Sequence, residues 1–232
     1  MIQHITQFKE ASLALEYWRF VDSQQRSEYL LTFQSQLAQK QPALAAIMAM
    51  QIAASRELID KTTPLCGPTG ETNELYLSAR GVTLLVLQEE CLQARMALLA
   101  QLIAALSAGN SVVLCSVDHE FSQLIEQSWA ATQASAHLVQ CFSLESYQEF
   151  VELDIRTAGY VGSEGGVKAF NRHIAQREGV IVPVVVETDL TMLPTAQDPM
   201  LALRFSTERT RTINITAVGG NATLLELGNP TH

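Results

Sequence analysis

The residues of this 232-residue chain best placed to do chemistry stand in one glycine-rich turn, Gly162-Ser163-Glu164-Gly165-Gly166. It follows a β-prone run ending at Val161 and precedes a helical pattern from Val167 to Arg177, after which the apolar run Val180 to Val186 closes on Glu187. Such a turn gathers backbone N–H groups at a helix N-terminus, where the helix dipole attracts an anion such as a nucleotide phosphate. Gly162, Ser163, Gly165 and Gly166 are therefore candidate phosphate-binding residues; the other reading is a tight turn without a ligand. Glu164 weighs toward the second, because its carboxylate adds negative charge where the phosphate would sit.

Other reactive groups are sparse. Cys66, Cys91, Cys115 and Cys141 are far apart with no CxxC pair, so they read as reduced, mostly buried thiols and give no metal or disulfide framework. Cys115 ends a β-prone run with His119 four residues on, but the sequence places no His–Asn or His–Asp pair beside the thiol, which favours an inert thiol. Charge excludes two partner classes. The net charge is −9 and the few basic residues are scattered, which argues against a nucleic acid and against an anionic membrane surface. A hydrophobic content of 47% with 17% charged residues describes an ordered globular protein. Met1 to Glu10 lacks the basic, apolar, small-residue order of a secretory signal, and Leu98 to Leu106 and Val180 to Val186 are too short to span a bilayer, so the expected location is the cytoplasm.

The elements that must position the turn follow a rhythm. Residues 1–62 read as an N-terminal helical segment, with Asp22 and Ser23 capping a second helix near Gln24, Pro42 opening a third, and Tyr17 and Trp18 as packing anchors. Residues 63–80 read as a loop followed by a strand extension over Glu74 to Ser78. From Gly81 the pattern alternates: strand Val82 to Leu87, helix Glu90 to Ala108, strand Ser111 to Cys115, helix His119 to Thr132, strand Leu138 to Phe142, short helix Leu144 to Leu153, strand Ile155 to Val161. This predicts an α/β fold, a Rossmann-like parallel sheet with helices on both faces over residues 63–190. Residues 191–232 read as a loop and a C-terminal β-hairpin, with strands Thr210 to Ala217 and Thr223 to Leu227 about the turn Gly219-Gly220-Asn221.

Several of these stretches together resemble a known family. Ala79-Arg80-Gly81-Val82, the helix end Ala105 to Asn110 with the strand after it, Val161-Gly162-Ser163 and Val186-Glu187-Thr188 follow the order of the cofactor domain of the aldehyde dehydrogenase superfamily. Gly67-Pro68-Thr69-Gly70-Glu71-Thr72-Asn73, Glu178 to Pro183 and the ending Thr212 to Ala222 resemble, more closely, the C-terminal domain of long forms of proline utilization A. That enzyme joins proline dehydrogenase to pyrroline-5-carboxylate dehydrogenase. In active members a cysteine attacks the aldehyde, hydride passes to NAD, and a glutamate activates water.

By that resemblance Glu187 stands in the place of the general base, NAD is a possible cofactor at the glycine turn, and Asn214, Gly219, Gly220 and Asn221 belong to a subunit-pairing hairpin. The chain departs from the scheme. Asp189-Leu190 replace the expected glycines, Cys115-Ser116 replace a lysine and proline, and Gln88-Glu89-Glu90 replace an aromatic residue and an oxyanion-hole asparagine. Only about two dozen residues separate Glu187 from the hairpin, where a nucleophile domain needs on the order of a full domain length. The expectation is a non-catalytic counterpart of that C-terminal domain, with Glu187 as a vestigial base and no metal or required cofactor. Its expected partner is proline utilization A or pyrroline-5-carboxylate dehydrogenase, with a homodimer also possible. The alternatives are an NAD(H)-binding module, or a dehydrogenase-related chain that takes its nucleophile from another protein.

Overall fold

A computed structural model describes residues 2–68 and 70–214. Its centre is a five-stranded parallel sheet of β3 (Val82–Leu87), β4 (Ser111–Ser116), β5 (Val139–Ser143), β6 (Thr157–Val161) and β7 (Val184–Glu187), ordered β5-β4-β3-β6-β7. The order reverses direction between β3 and β6, the switch point at which an open α/β sheet leaves a crevice at its strands' carboxyl ends. Both faces are covered, because alternate residues of each strand enter different cores. Leu85, Leu87, Val112 and Leu114 face one way, and Leu84, Val86, Val113 and Tyr160 the other.

The first face carries α2 (Ser23–Lys40), α3 (Ala45–Ile59), α4 (Leu92–Ser107), α5 (His119–Ala130) and the four-residue α8 (Leu201–Arg204). The second carries α6 (Tyr147–Val151) and α7 (Glu164–Gln176), together with Phe8 and Ala11 of α1 (Ile2–Trp18). Helices α2 and α3 cover α4 from outside, so α4 is buried on every side from Ala97 to Ser107 instead of on the single predicted stripe. The caps fall where expected: the Asp22 carboxylate accepts from the N–H of Gln25 at 2.8 Å, and Pro42 opens the turn into α3. The stretch Pro42–Ile59 is long and apolar enough to cross a membrane, but its Ile47, Met48 and Ile52 are packed in the first core. Trp18 is buried and its indole donates to the Leu106 carbonyl at 2.9 Å, whereas Tyr17 is exposed and anchors nothing among the described residues.

Three further expectations change. The run Val180 to Val186 is not one strand. Pro183 has no N–H to give a ladder, the Arg177 guanidinium holds the Val180 carbonyl at 2.9 Å, and Ile181 is 96% exposed, so β7 begins only at Val184. Helix α4 starts at Leu92 instead of Glu90, and Leu92 itself is exposed. Strand β8 (Ser206–Asn214) begins four residues before the predicted Thr210 and pairs along its whole length, antiparallel, with β2 (Glu71–Ala79). With β1 (Thr63–Leu65) on the other side of β2, these form a three-stranded flap in the order β1-β2-β8. The predicted hairpin strand at Thr223 to Leu227 lies outside the described residues.

One buried side chain joins flap to body. The Asn110 Oδ1 accepts from the N–H groups of Arg80 at 2.9 Å and Gly81 at 3.0 Å, where β2 passes into β3. Its Nδ2 donates to the carbonyls of Ala105 and Phe205, both at 2.9 Å, at the end of α4 and just before β8. Asn110→Ala leaves these groups without that partner, three of them in buried bonds. We expect a loss of about 3 kcal/mol or more, read as a fall in melting temperature of roughly 6–12 °C.

Candidate functional site at the carboxyl edge of the parallel sheet

The glycine turn lies at the switch point. Strand β6 delivers Gly162 beside the end of β3, and the Gln88 N–H donates to the Val161 carbonyl at 3.0 Å, extending the strand contact past both ends. Ser163 caps α7, its Oγ accepting from the Gly166 N–H at 3.2 Å. The crevice above is filled from within. The Tyr160 hydroxyl reaches up from β6, donating to Gln88 Oε1 at 2.7 Å and lying 3.4 Å from the Ser163 carbonyl. A Cβ at Gly166 would fall on that hydroxyl. The Tyr160 ring is buried and stacked on Phe170 at 5.5 Å, so moving it disturbs that packing. In this chain, then, the glycine at 166 makes room for a tyrosine, while Gly165 has open space beside it.

Glu187 ends β7 and is 2% exposed. Its Oε2 accepts from the N–H groups of Thr195 at 2.8 Å and Ala196 at 3.0 Å, and the Thr195 hydroxyl donates to the Val186 carbonyl at 2.8 Å. The carboxylate thereby ties down the loop over residues 188–200. Burial pushes its pKa up; the N–H groups of Ala196, Thr195 and Asp189 pull it down, and the charge of Asp189 pushes it up again, with a net rise. The same loop places Asp189 Oδ1 on the N–H groups of Thr191 and Met192, both at 3.0 Å.

A third closure, absent from the sequence reading, holds the end of β4. Arg95 of α4 grips Asp118 with two bonds, Nε to Oδ2 at 2.7 Å and Nη2 to Oδ1 at 3.1 Å, while Asp118 caps α5 through the Phe121 N–H at 3.0 Å. The guanidinium also lies 5.2 Å from the centre of the Phe121 ring. The signal for it was a helix-capping Asp directly before His119; the arginine 23 residues earlier became its partner only through the fold.

The structure does not bring Cys115 and His119 together. Cys115 is fully buried in the second core, where desolvation raises its thiol pKa far above the ordinary value, and His119 is exposed. Cys66 and Cys91 are exposed and Cys141 partly buried, so the expectation of mostly buried thiols fails for two of the four. Gln88 is spent on Tyr160, and Glu89 adds a negative charge near that hydroxyl. Asn214 ends β8 opposite Glu71, while Gly219, Gly220 and Asn221 lie outside the described residues. No cluster of three or more metal-ligating side chains occurs among the described residues.

Two measurements probe this edge. Gly166→Ala is expected to cost about 2 kcal/mol by forcing the buried tyrosine to move, and Tyr160→Phe, which removes the hydroxyl, is expected to relieve about half of that in a double-mutant cycle. The ionised form of Glu187 is disfavoured by folding, because its folded pKa lies above the unfolded one. Its cost is absent below the ordinary carboxylate range and complete above the raised folded pKa. The melting temperature of Glu187→Gln relative to wild type is therefore expected to rise as pH rises from the ordinary carboxylate range through the raised folded pKa.

No protein-family model and no curated protein matches the chain. Solved structures do match in shape. A mutant of Bradyrhizobium japonicum proline utilization A superposes with a TM-score of 0.72 at 22% identity, over 83% of this chain and 23% of that one. Proline utilization A from Bdellovibrio bacteriovorus superposes at 0.68 and 15% identity, over 80% and 22%. A putative aldehyde dehydrogenase from Burkholderia cenocepacia superposes at 0.66 and 17% identity, over 78% and 43%. The chain thus spans about a quarter of the length of the proline utilization A structures and less than half of the dehydrogenase. With its parallel sheet wrapped by helices and its three-stranded antiparallel flap, the chain has the fold found in aldehyde dehydrogenases and in proline utilization A.

Proposed function

We propose that this chain is a non-catalytic, aldehyde-dehydrogenase-like protein of proline catabolism, a counterpart of the C-terminal domain of long proline utilization A. It covers a partner's flap and helps close the tunnel through which pyrroline-5-carboxylate passes. The observation that carries this reading is the connection from Glu187 to β8. Residues 188–205 pass from the end of β7 to the flap with no span for a nucleophile domain, and Glu187 is occupied in holding that connection in place. With Oε2 held by two backbone N–H groups and the carboxylate buried, Glu187 serves its own downstream loop. What the fold retains is a rigid body carrying an antiparallel flap, a surface suited to pairing with another flap.

A second reading is favoured by one observation. The Ser163-capped turn still opens α7 at the switch point, with space beside Gly165, so an NAD(H)-binding module is the competing role. A dehydrogenase-related component that takes its nucleophile from another chain is the variant of this reading that retains catalysis.

The test is a mixing experiment with a purified short-form proline utilization A. We expect a complex on gel filtration and a shorter lag before NADH appears from proline, since a closed tunnel leaks less intermediate. No complex and an unchanged lag would overturn the proposal. Binding of NADH with micromolar affinity in calorimetry, without a complex, would put the cofactor-module reading in its place.

A further inference from the structure

One outer edge of the parallel sheet is left bare where the Val180 to Val186 run enters it. Strand β7 ends the strand order, so β6 is its one neighbour in the sheet. The Ala158 N–H donates to the Pro183 carbonyl at 3.0 Å and the Gly162 N–H to the Glu187 carbonyl at 3.2 Å, so the odd-numbered residues from 183 to 187 turn their backbone groups toward β6, while Val184 and Val186 turn theirs outward. The N–H that Pro183 lacks would lie on the inner side, and the outer donors are intact. Beside this edge Ile181 is 96% and Val180 45% exposed. Together with α7 the same stretch encloses a groove of about 440 Å³, lined by Ile174, Ala175, Val180, Ile181, Val182 and Val184.

Two other outer edges are guarded against strand addition. At β5 the Glu126 carboxylate accepts from the Cys141 N–H at 3.2 Å, so a charged side chain occupies the edge. Strand β8 carries Glu208, Arg209 and Arg211. Antiparallel pairing of two identical strands about a two-fold axis normal to their sheet centres on a residue, and an axis at any residue from 208 to 211 sets like charges opposite each other. The β7 edge has neither guard. From Gly179 to Val186 the chain has no charged residue, so two copies of this edge meet without like-charge opposition, whereas a charged partner segment would find no counterpart there.

We propose that this edge is the contact between two copies of the chain, related by a two-fold axis beside Val182, the middle of the bare stretch. Antiparallel pairing about such an axis keeps the two α7 grooves on the same side of the joined sheet and gives the outward groups of Val184 a strand to bond. Ile181 of each copy then lies next to the axis, inside the contact. The flap takes no part, and the assignment does not depend on the proline-catabolism reading.

Sedimentation equilibrium of the full chain tests it, with Ile181→Lys and Ile181→Glu as variants. Both change a fully exposed side chain, so wild-type melting behaviour is expected of each. The wild type is expected to dimerise with a dissociation constant of about 100 µM or tighter, and each variant alone to lose roughly tenfold or more, because it sets like charges together at the axis. Mixed in equal amounts, the two variants are expected to recover association to within about threefold of wild type, since a two-fold contact places the lysine of one copy beside the glutamate of the other. A wild type that stays monomeric up to about 500 µM, variants that dimerise as tightly as wild type, or a mixture no better than either variant alone would overturn the proposal.

Discussion

Asn110 has one amide and four partners, and the architecture turns on that arrangement. The two N–H groups it accepts belong to the passage from flap to sheet, and the two carbonyls it satisfies belong to the end of α4 and to the residue before β8. The bonds to Gly81, Ala105 and Phe205 are buried, so each of those groups would carry a desolvation penalty without it. Because β2 and β8 are far apart in sequence and both start or end beside Asn110, a single buried side chain fixes the direction in which the flap leaves the body. The extent of β2–β8 pairing, nine residues in register, depends on that common origin.

The carboxyl edge of the parallel sheet is where an open α/β fold leaves room for a ligand, and here three polar contacts occupy it. Tyr160 and Gln88 fill the crevice between β3 and β6, Arg95 and Asp118 close the end of β4, and Glu187 binds its own downstream loop. Each contact satisfies groups that a cofactor or substrate would otherwise meet. Internal hydrogen bonding thereby ties the ends of β3, β4, β6 and β7 to the segments that follow them.

The exposed surfaces differ in kind. The flap presents a β2–β8 pair whose cross-strand contacts, Arg211 to Glu74 and Thr212 to Asn73, are polar and exposed. The end of α1 presents the exposed side chains of Leu13, Tyr17 and Phe20.

Much of this was legible in the residues. Alternation of apolar strands and amphipathic helices from Gly81 onward determined the parallel sheet and its two covered faces, because that hydrophobic pattern has few other ways to be buried. Asp22 and Pro42 marked helix starts through local hydrogen bonding and fixed dihedral angles, which depend only on neighbours in the chain. Local pattern failed where distant groups compete. The run Val180 to Val186 reads as a strand until Pro183 and the Arg177 guanidinium remove its first half from the ladder. Tyr17 and Trp18 are adjacent and similar, yet only the one facing the end of α4 is buried. The glycine at 166 was readable as a cradle for phosphate, and only the packing of Tyr160 against it showed a different reason for its small size. The sequence by itself determined the periodicities and the turns, which are set within a few residues; the tertiary structure decided how Asn110, Glu187 and Arg95 are used, because their partners are brought within hydrogen-bonding distance only when the sheet has closed.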